Sequence, residues 1–323
     1  MNKRILEYIS MFAIPFLIAL FAFSSLFHYR LVSLFAEALL IPSFALYSAF
    51  GISLVLLKEK YGKFKKIEME VKERGGEKEA NRPKKGDVLA EISILRFNRE
   101  RKVFEKENYK VWVDKFTTVL DALIEIKERS DPTLSMRYSC RMGVCGSCGM
   151  VINGKPSLAC ETNIIRKMKG GKIEVMPIQA QPLVRDLVAN FDDFFEKHKS
   201  IEPYLYRNDE KEQYEAKKEY KQSREELHRY LPFSYCIMCG LCLDACPVEN
   251  SNPSFIGPQA LAQVYRYYAD SRDQNKKRIE IVDSKNGIWG CEFIGACSEA
   301  CPKGVDPAYA IQLLKKEALL NED

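Results

Sequence analysis

"CIMCGLCLDACP", residues 236–247, sets four cysteines at C-x2-C-x2-C-x3-C and follows them with a proline. Thiolates at that spacing are the ligand run of a cubane iron–sulfur cluster. Where two such clusters sit together, the fourth cysteine of the run ligates the other cluster. Cys246 is therefore expected to leave Cys236, Cys239 and Cys242 one thiolate short. "CEFIGACSEACPKG", residues 291–304, supplies the exchange. Its Cys301-Pro302 repeats the end of the first run, so Cys301 completes a [4Fe–4S] set of Cys236, Cys239, Cys242 and Cys301. Cys246, Cys291 and Cys297 remain for the second cluster. A regular second run would place a cysteine midway, near Ile294, but an aliphatic side chain stands there. Three thiolates hold a [3Fe–4S] cluster, its vacant corner facing an apolar group.

Upstream, "SCRMGVCGSCGMVINGKPSLAC", residues 139–160, places Cys140, Cys145 and Cys148 at C-x4-C-x2-C with Cys160 as a distant fourth. This is plant-type [2Fe–2S] spacing. Gly143, Gly146 and Gly149 let the loop wrap closely enough for backbone N–H groups to reach the sulfurs. A structural zinc site is the alternative, but zinc sites usually repeat a C-x2-C pair. Sets of four, four and three use all eleven cysteines of the chain.

Around these groups the chain changes character. "VLAEISILRF" (88–97) and "KVWV" (110–113) alternate as strands do, and "TVLDALIEIKERS" has helical spacing with Thr118 as its N-cap. "GMVINGKPSLAC" reads as a hairpin turning at Asn153-Gly154, and "GKIEVMPI" as a further strand. Strands around one helix, with a cysteine loop between, predict a small half-open sheet. From about Val184 the pattern turns helical. "LVRDLVANFDDFFEKH" spaces Leu183, Leu187 and Phe191 four apart, and "PQALAQVYRYYADS" and "DPAYAIQLLKKEALL" each have a proline near the start. No long-period repeat stands out.

The first 57 residues are of another kind. Tyr8–Phe27 and Ala38–Leu57 are uncharged stretches of the length a helix needs to cross a bilayer. They predict a two-span hairpin rather than a signal peptide, whose apolar region is shorter and is not followed by a second span. Pro15 and Pro42 are expected to kink the spans. Lys3 and Arg4 precede the first span; Lys58, Lys60, Lys63, Lys65 and Lys66 follow the second. The positive-inside rule places both ends in the cytoplasm, where a dense cysteine pattern reads as metal ligation rather than disulfides. Residues 58–87 carry eleven Lys/Arg against seven Asp/Glu, much of the net charge of +5. With no aromatic-interleaved basic patch, a nucleic-acid partner is not expected; a flexible linker resting on anionic lipid is.

With its three cysteine groups in this order, the chain resembles the iron–sulfur subunit of the succinate dehydrogenase/fumarate reductase family. The resemblance runs from about Glu91 to the C-terminus. It rests on "SCRMGVCGSCGM", "CIMCGLCLDACP", "NPSFIGPQAL", "YYADSRD" and "NGIWGCEFIGACSEACPKGVDPAYAIQ". "CPVENSNP" stands where the dehydrogenases usually carry bulky aromatics, which leans toward the fumarate reductases. The resemblance implies an α+β multidomain chain. It implies a β-grasp [2Fe–2S] ferredoxin domain, here over 88–182, and an all-α, bacterial-ferredoxin-like domain with the [4Fe–4S] and [3Fe–4S] clusters over 183–323; hydropathy and charge add the expected transmembrane helical hairpin over 1–57 and basic flexible linker over 58–87, in which the chain departs from the family. It implies a flavoprotein partner with covalent FAD, where fumarate and succinate interconvert, and a membrane quinone, with electrons running along the three clusters between them. No dicarboxylate site is expected in this chain. The rival readings are the iron–sulfur carrier of another membrane redox complex, of heterodisulfide reductase or glycerol-3-phosphate dehydrogenase type, and a zinc-binding scaffold.

By the same resemblance, the quinone pocket borrows residues just after the first cysteine of the third group and polar groups on the last helix. Here these are Phe293, Gln312 and Lys315; the neighbouring Glu292 departs from the small hydroxyl residue the family leads one to expect. The alternative for Gln312 and Lys315 is a solvated helix face. Iron–sulfur subunits of the family are normally peripheral, so a fused hairpin implies part of an anchor at the cytoplasmic membrane, completed by further anchor subunits. His28 at the end of the first span cannot alone give bis-His ligation, which leaves haem b open. His198 and His228 follow charged helical runs and are expected in solvent. Arg137 and Arg141 bracket Cys140, placed to tune the cluster or to meet an acidic partner.

Overall fold

The computed structural model describes residues 72–73, 78–79, 87–209, 214–215, 219–275 and 277–320. The hairpin expected at 1–57, nearly all of the linker at 58–87, and His28 with them lie outside the described residues. Among the described residues no helix is long and apolar enough to cross a membrane.

One mixed sheet forms the first half. β1 (Lys72–Glu73) and β2 (Lys78–Glu79) pair parallel to β4 (Val103–Val113), which runs antiparallel to β3 (Val88–Asn98) along its full length, from Val88 opposite Val113 to Asn98 opposite Val103. β3 is central: its other edge pairs in parallel with β7 (Lys172–Met176), and β7 continues to the hairpin of β5 (Gly149–Ile152) and β6 (Lys155–Leu158). The hairpin turns where expected, with Asn153 and Gly154 at φ of 48° and 75°, the left-handed pair such a tight turn requires. β4 begins well before the expected "KVWV". Its buried face keeps the strand period of two, but two of those inward positions are Glu105 and Glu107, which hide the apolar alternation.

The helix crossing this sheet, α1 (Val119–Glu125), buries Val119, Leu120, Ala122, Leu123 and Ile124. Thr118 caps it as expected. Thr118 Oγ1 accepts from Asp121 N at 3.2 Å, and the Asp121 carboxylate accepts from Thr118 N at 3.0 Å, a reciprocal box with Asp in place of the usual Glu. Thr118→Ala is expected to lose about 0.5–2 kcal/mol, measurable as a shift in the urea midpoint at unchanged slope. Past Ile126 the helix widens to a π turn over Ile126–Ser130, and Asp131 N donates back to Ile126 O at 2.8 Å. The wide turn brings Asp131 under the sheet, to the guanidinium of Arg96.

Residues 183–191 are not helical, contrary to the fourfold spacing of Leu183, Leu187 and Phe191. They form β8 (Leu183–Arg185) and β9 (Val188–Ala189), a small antiparallel pair turned at Asp186, whose φ is 49°. Two long-range contacts decide this. Asp186 bridges to Phe97 of β3 through backbone bonds in both directions, and its carboxylate accepts from Arg96 Nε at 3.0 Å. Leu187 packs into the core of the sheet half, so packing with the sheet continues past the boundary expected at 182/183. Helix begins only at α2 (Asp192–Ser200).

The rest is helical, as expected. α3 (Arg224–Ser234), capped by Ser223 and Glu226, α4 (Leu241–Asp244), α5 (Pro247–Ser251), α6 (Pro258–Tyr268), α7 (Arg278–Val282), α8 (Ala296–Glu299) and α9 (Pro307–Leu320) enclose a second core. Tyr230, Phe233, Leu261, Val264, Ile311 and Leu314 are at its centre. α6 and α9 each start with proline at their first turn, where its missing N–H costs nothing. The two cores meet at Leu241, which belongs to the first cysteine run yet is fully buried in the core of the sheet half.

Candidate metal centres

The loop carrying Cys140, Cys145 and Cys148 joins the π turn to β5, and Cys160 follows β6, so the hairpin brings the distant fourth cysteine back. Left-handed backbone at Arg141, Gly143 and Gly146 curls the loop so that its amides face inward. Cys140 Sγ accepts from the N–H groups of Val144 and Cys145 at 3.3 Å and of Met142 at 3.5 Å; Cys160 Sγ accepts from Gly143 N at 3.2 Å. Bonds from the Ser147 hydroxyl and from the backbone N–H groups of Cys140 and Ser147 pull the exposed Cys145 thiol down to about 6. Burial, together with Cys160 and Cys145, pushes Cys148 up to about 12. Amides arrayed around sulfur are what an anionic thiolate cluster requires, so the loop fits the group. Of the residues bracketing Cys140, Arg137 lies 5.7 Å over the Phe191 ring and Arg141 5.5 Å over Tyr138.

In the helical half, the segments around 236–247 and 291–302 repeat one backbone. Met238 and Phe293 have φ of 55° and 54°; Gly240 and Gly295 have 77° and 82° and each starts a one-turn helix, α4 or α8. Each helix is followed by Ala and Cys-Pro. In this register Cys236 matches Cys291, Cys242 matches Cys297, Cys246 matches Cys301, and Cys239 matches Ile294. The repeat is too short to stand out as sequence periodicity.

Two cavities lie between the repeats. Cys236, Cys239, Cys242 and Cys301 line one, with Gln259, Ala262 and Val305. Cys246, Cys291 and Cys297 line the other, with Phe255, Phe293, Ile294 and Ile311. Burial pushes these thiols up: Cys239 and Cys246 to about 11, Cys297 to about 12, and Cys242 well above its ordinary value. A thiol so buried ionises only opposite a strong positive charge, which a bound iron supplies. No three His, Cys, Asp or Glu side chains among the described residues converge as ligands of a single ion would. The thiols are set around cavities instead.

The first cysteine loop lies against the second site. A Cβ at Gly146 would lie 2.9 Å from Cys239 Cβ and 3.0 Å from Cys239 Cα, and one at Gly149 would lie 3.2 Å from Cys239 O. Across the same junction Lys303 Nζ pairs with Glu161 at 3.2 Å. Gly146→Ala must therefore shift backbone as well as adopt a φ of 75°. It is expected to destabilise by clearly more than about 1 kcal/mol, whereas Gly154→Ala, at the same φ with nothing within 4 Å, bears the conformational term alone. Paired thermal melts of the two variants check this.

Of the three quinone candidates, Phe293 lies 59% exposed at the second cavity. Lys315 is not on a solvated face: its Nζ donates to Cys291 O at 2.8 Å and stands 5.7 Å from the Trp289 ring centre. Gln312 is half-buried, and its Nε2 has no partner. His198 is also not in open solvent. Burial lowers its pKa, and Nδ1 accepts from Gln259 Nε2 at 3.2 Å. Gln259, which sequence reasoning passed over, is 2% exposed, and its Nε2 also faces Cys236 Sγ at 3.9 Å. The signal was present in "PQALAQ": Gln259 and Gln263 sit four apart on the apolar side of α6, both buried.

Comparison with known proteins adds an independent finding. Residues 91–196 match the family model described as a 2Fe-2S iron-sulfur cluster binding domain, and residues 232–305 match that of a 4Fe-4S dicluster domain. The fumarate reductase iron-sulfur subunit of Haemophilus influenzae is 42% identical over 240 residues, covering 70% of this chain and 92% of that subunit. The corresponding subunit of Mycobacterium tuberculosis is 46% identical, covering 65% of this chain and 84% of its own length. The mitochondrial succinate dehydrogenase [ubiquinone] iron-sulfur subunit of Dictyostelium discoideum is 36% identical over 72% of this chain and 83% of its own length. In the solved Mycobacterium smegmatis Sdh1 complex, one chain has the same fold at a TM-score of 0.65, with 24% identity and coverage of 72% of this chain and 96% of that one.

Proposed function

This chain belongs to the family of fumarate reductase and succinate dehydrogenase iron–sulfur subunits, which serve electron transfer within an oxidoreductase complex, and on that premise we propose how its residues serve that role. Cys140, Cys145, Cys148 and Cys160 hold [2Fe–2S]; Cys236, Cys239, Cys242 and Cys301 hold [4Fe–4S]; Cys246, Cys291 and Cys297 hold [3Fe–4S]. When bound, the clusters supply one-electron carriers between the FAD of a flavoprotein subunit and a membrane quinone. The observation that carries the assignment is the lining of the two cavities, each drawing cysteines from both repeats, with Ile294 where the first repeat has Cys239.

The chain's own residues do three things. Loop amides neutralise sulfur charge at Cys140 and Cys160. Two cores exclude water from Cys148, Cys160, Cys246 and Cys297, which keeps electrostatic interactions at these sites strong. Gly146 and Gly149 let the first loop lie against Cys239, keeping adjacent carriers close. The sheet half has the β-grasp arrangement and faces the flavoprotein. The exposed Trp289, Phe293 and Ile294 beside the third site face the membrane, where Phe293, Gln312 and Lys315 border the quinone. The two apolar stretches at 8–27 and 38–57 are spans of the cytoplasmic membrane, fused to the chain and joined there by further anchor subunits.

Electron paramagnetic resonance of the complex purified from membranes tests the assignment. Three distinct signals are expected, including one in the oxidised state from a three-iron cluster; two [4Fe–4S] signals in its place would overturn the ligand sharing.

A further inference from the structure

Gln259 occupies a place that its chemistry does not explain by packing alone. It is the second residue of α6 and almost fully buried, and its amide splits its neighbours unevenly. Nε2 stands 3.2 Å from His198 Nδ1 and 3.9 Å from Cys236 Sγ, while Oε1 is buried with no partner at all. A buried amide normally places both ends on partners, and an orphaned carbonyl weakens the fold. Both neighbours here are acceptors: a thiolate sulfur has only lone pairs to offer, and a neutral imidazole can accept at Nδ1. An amide between them must turn its NH2 toward them. His198 takes one of the two protons, which fixes the plane of the amide and leaves the other directed at Cys236. The fold thus gives up a bond at Oε1 and keeps an N–H at the sulfur.

We propose that Gln259 is a positioning residue for electron transfer. Held by His198, it keeps an N–H donor on Cys236 Sγ and raises the midpoint potential of the cluster that Cys236 ligates. This rests on the ligand sharing proposed above, in which that cluster is the [4Fe–4S]. The physical cause is charge: reduction adds an electron, and a donor at a ligand sulfur stabilises the more negative state over the less negative one. Gln263, four residues on and also buried, donates its Nε2 to Phe233 O at 2.9 Å instead.

The test is potentiometric titration of the intact complex, followed by the resonance signal of each cluster, in Gln259→Leu and Gln259→Met. Both remove the donor and the orphaned carbonyl while filling the volume. A downward shift confined to [4Fe–4S] is expected, on the order of tenfold in the ratio of reduced to oxidised cluster at fixed potential, or about 59 mV for one electron. [2Fe–2S] is expected to hold its potential, and thermal stability not to fall. Unchanged [4Fe–4S] potentials in both variants overturn the proposal, as does failure of both to assemble that cluster, which would make Gln259 a folding residue. A shift larger in His198→Ala than in Gln259→Leu also overturns it, since the effect would then originate at the imidazole. A shift seen in the three-iron signal instead is a separate outcome: it moves Cys236 to the other cluster and refutes the ligand sharing on which the proposal stands.

Discussion

Arg96→Leu is expected to cost about 3–5 kcal/mol of stability, the usual price of leaving buried charge without its partner. Arg96 is 5% exposed, and its guanidinium serves three carboxylates at once: Asp131 Oδ2 at 2.7 Å, Asp186 Oδ1 at 3.0 Å and Glu107 Oε2 at 3.1 Å. It also donates to Thr133 Oγ1 at 3.0 Å, and the Tyr109 hydroxyl, with its one proton, lies within hydrogen-bond reach of both Glu107 and Asp131. These partners come from β4, from the end of the π turn and from the β8–β9 turn, so one side chain ties three separate segments to β3. The pH dependence follows from Asp131. Burial pushes its carboxyl up, but the bonds from Thr133 and Tyr109 and the charge of Arg96 outweigh this and hold it below the usual carboxylate range. A folded-state pKa below the unfolded value near 3.9 contributes stability above that value and loses it as pH falls. Without Arg96 this contribution shrinks. The gap between wild type and variant is expected to be widest at neutral pH and to narrow toward pH 4 and below. Urea unfolding at several pH values measures it, and a gap of constant size would contradict the linkage.

Ile294→Cys is expected to change the chemistry of the third site rather than its fold. In the backbone repeat Ile294 stands where Cys239 does, with the same left-handed residues on either side, at Phe293 and Gly295. It lines the cavity with Cys246, Cys291 and Cys297 and is 45% exposed, so a shorter side chain leaves little void. A fourth thiolate there permits a fourth iron. The oxidised-state three-iron signal is expected to disappear, with a reduced-state [4Fe–4S] signal at lower potential in its place. Persistence of the original signal would show that another residue faces the vacant corner.

What could be read from the sequence follows the range of the interactions. The Asn153-Gly154 turn, the Thr118 cap and the proline-led helices are local, and all three are where their residues predicted. The capping box at Ser223–Glu226 was equally local but went unread. The misread stretch, 183–191, has leucines at helical spacing, and nothing within it reveals that Asp186 belongs to an arginine ninety residues earlier. The length of β4 was hidden for the same reason, since Glu105 and Glu107 interrupt its apolar alternation. Gln259 and His198 meet across 61 residues. Their pairing depends on how α2 lies against α6, which no spacing encodes.

The exchange of cysteines between the two repeats also sets the order in which the protein can be completed. On the proposed sharing, the [2Fe–2S] ligands are all present once Cys160 has been synthesised. Neither of the other clusters can be closed then: one waits for Cys297 and the other for Cys301, both more than 130 residues further along the chain. Once inserted, each clamps residues near 240 to residues near 295 and shuts a loop of about fifty residues, removing freedom from the unfolded chain as any cross-link does. A chain truncated before Cys297 would therefore be expected to carry a single cluster and to leave its first cysteine run open to oxidation or degradation.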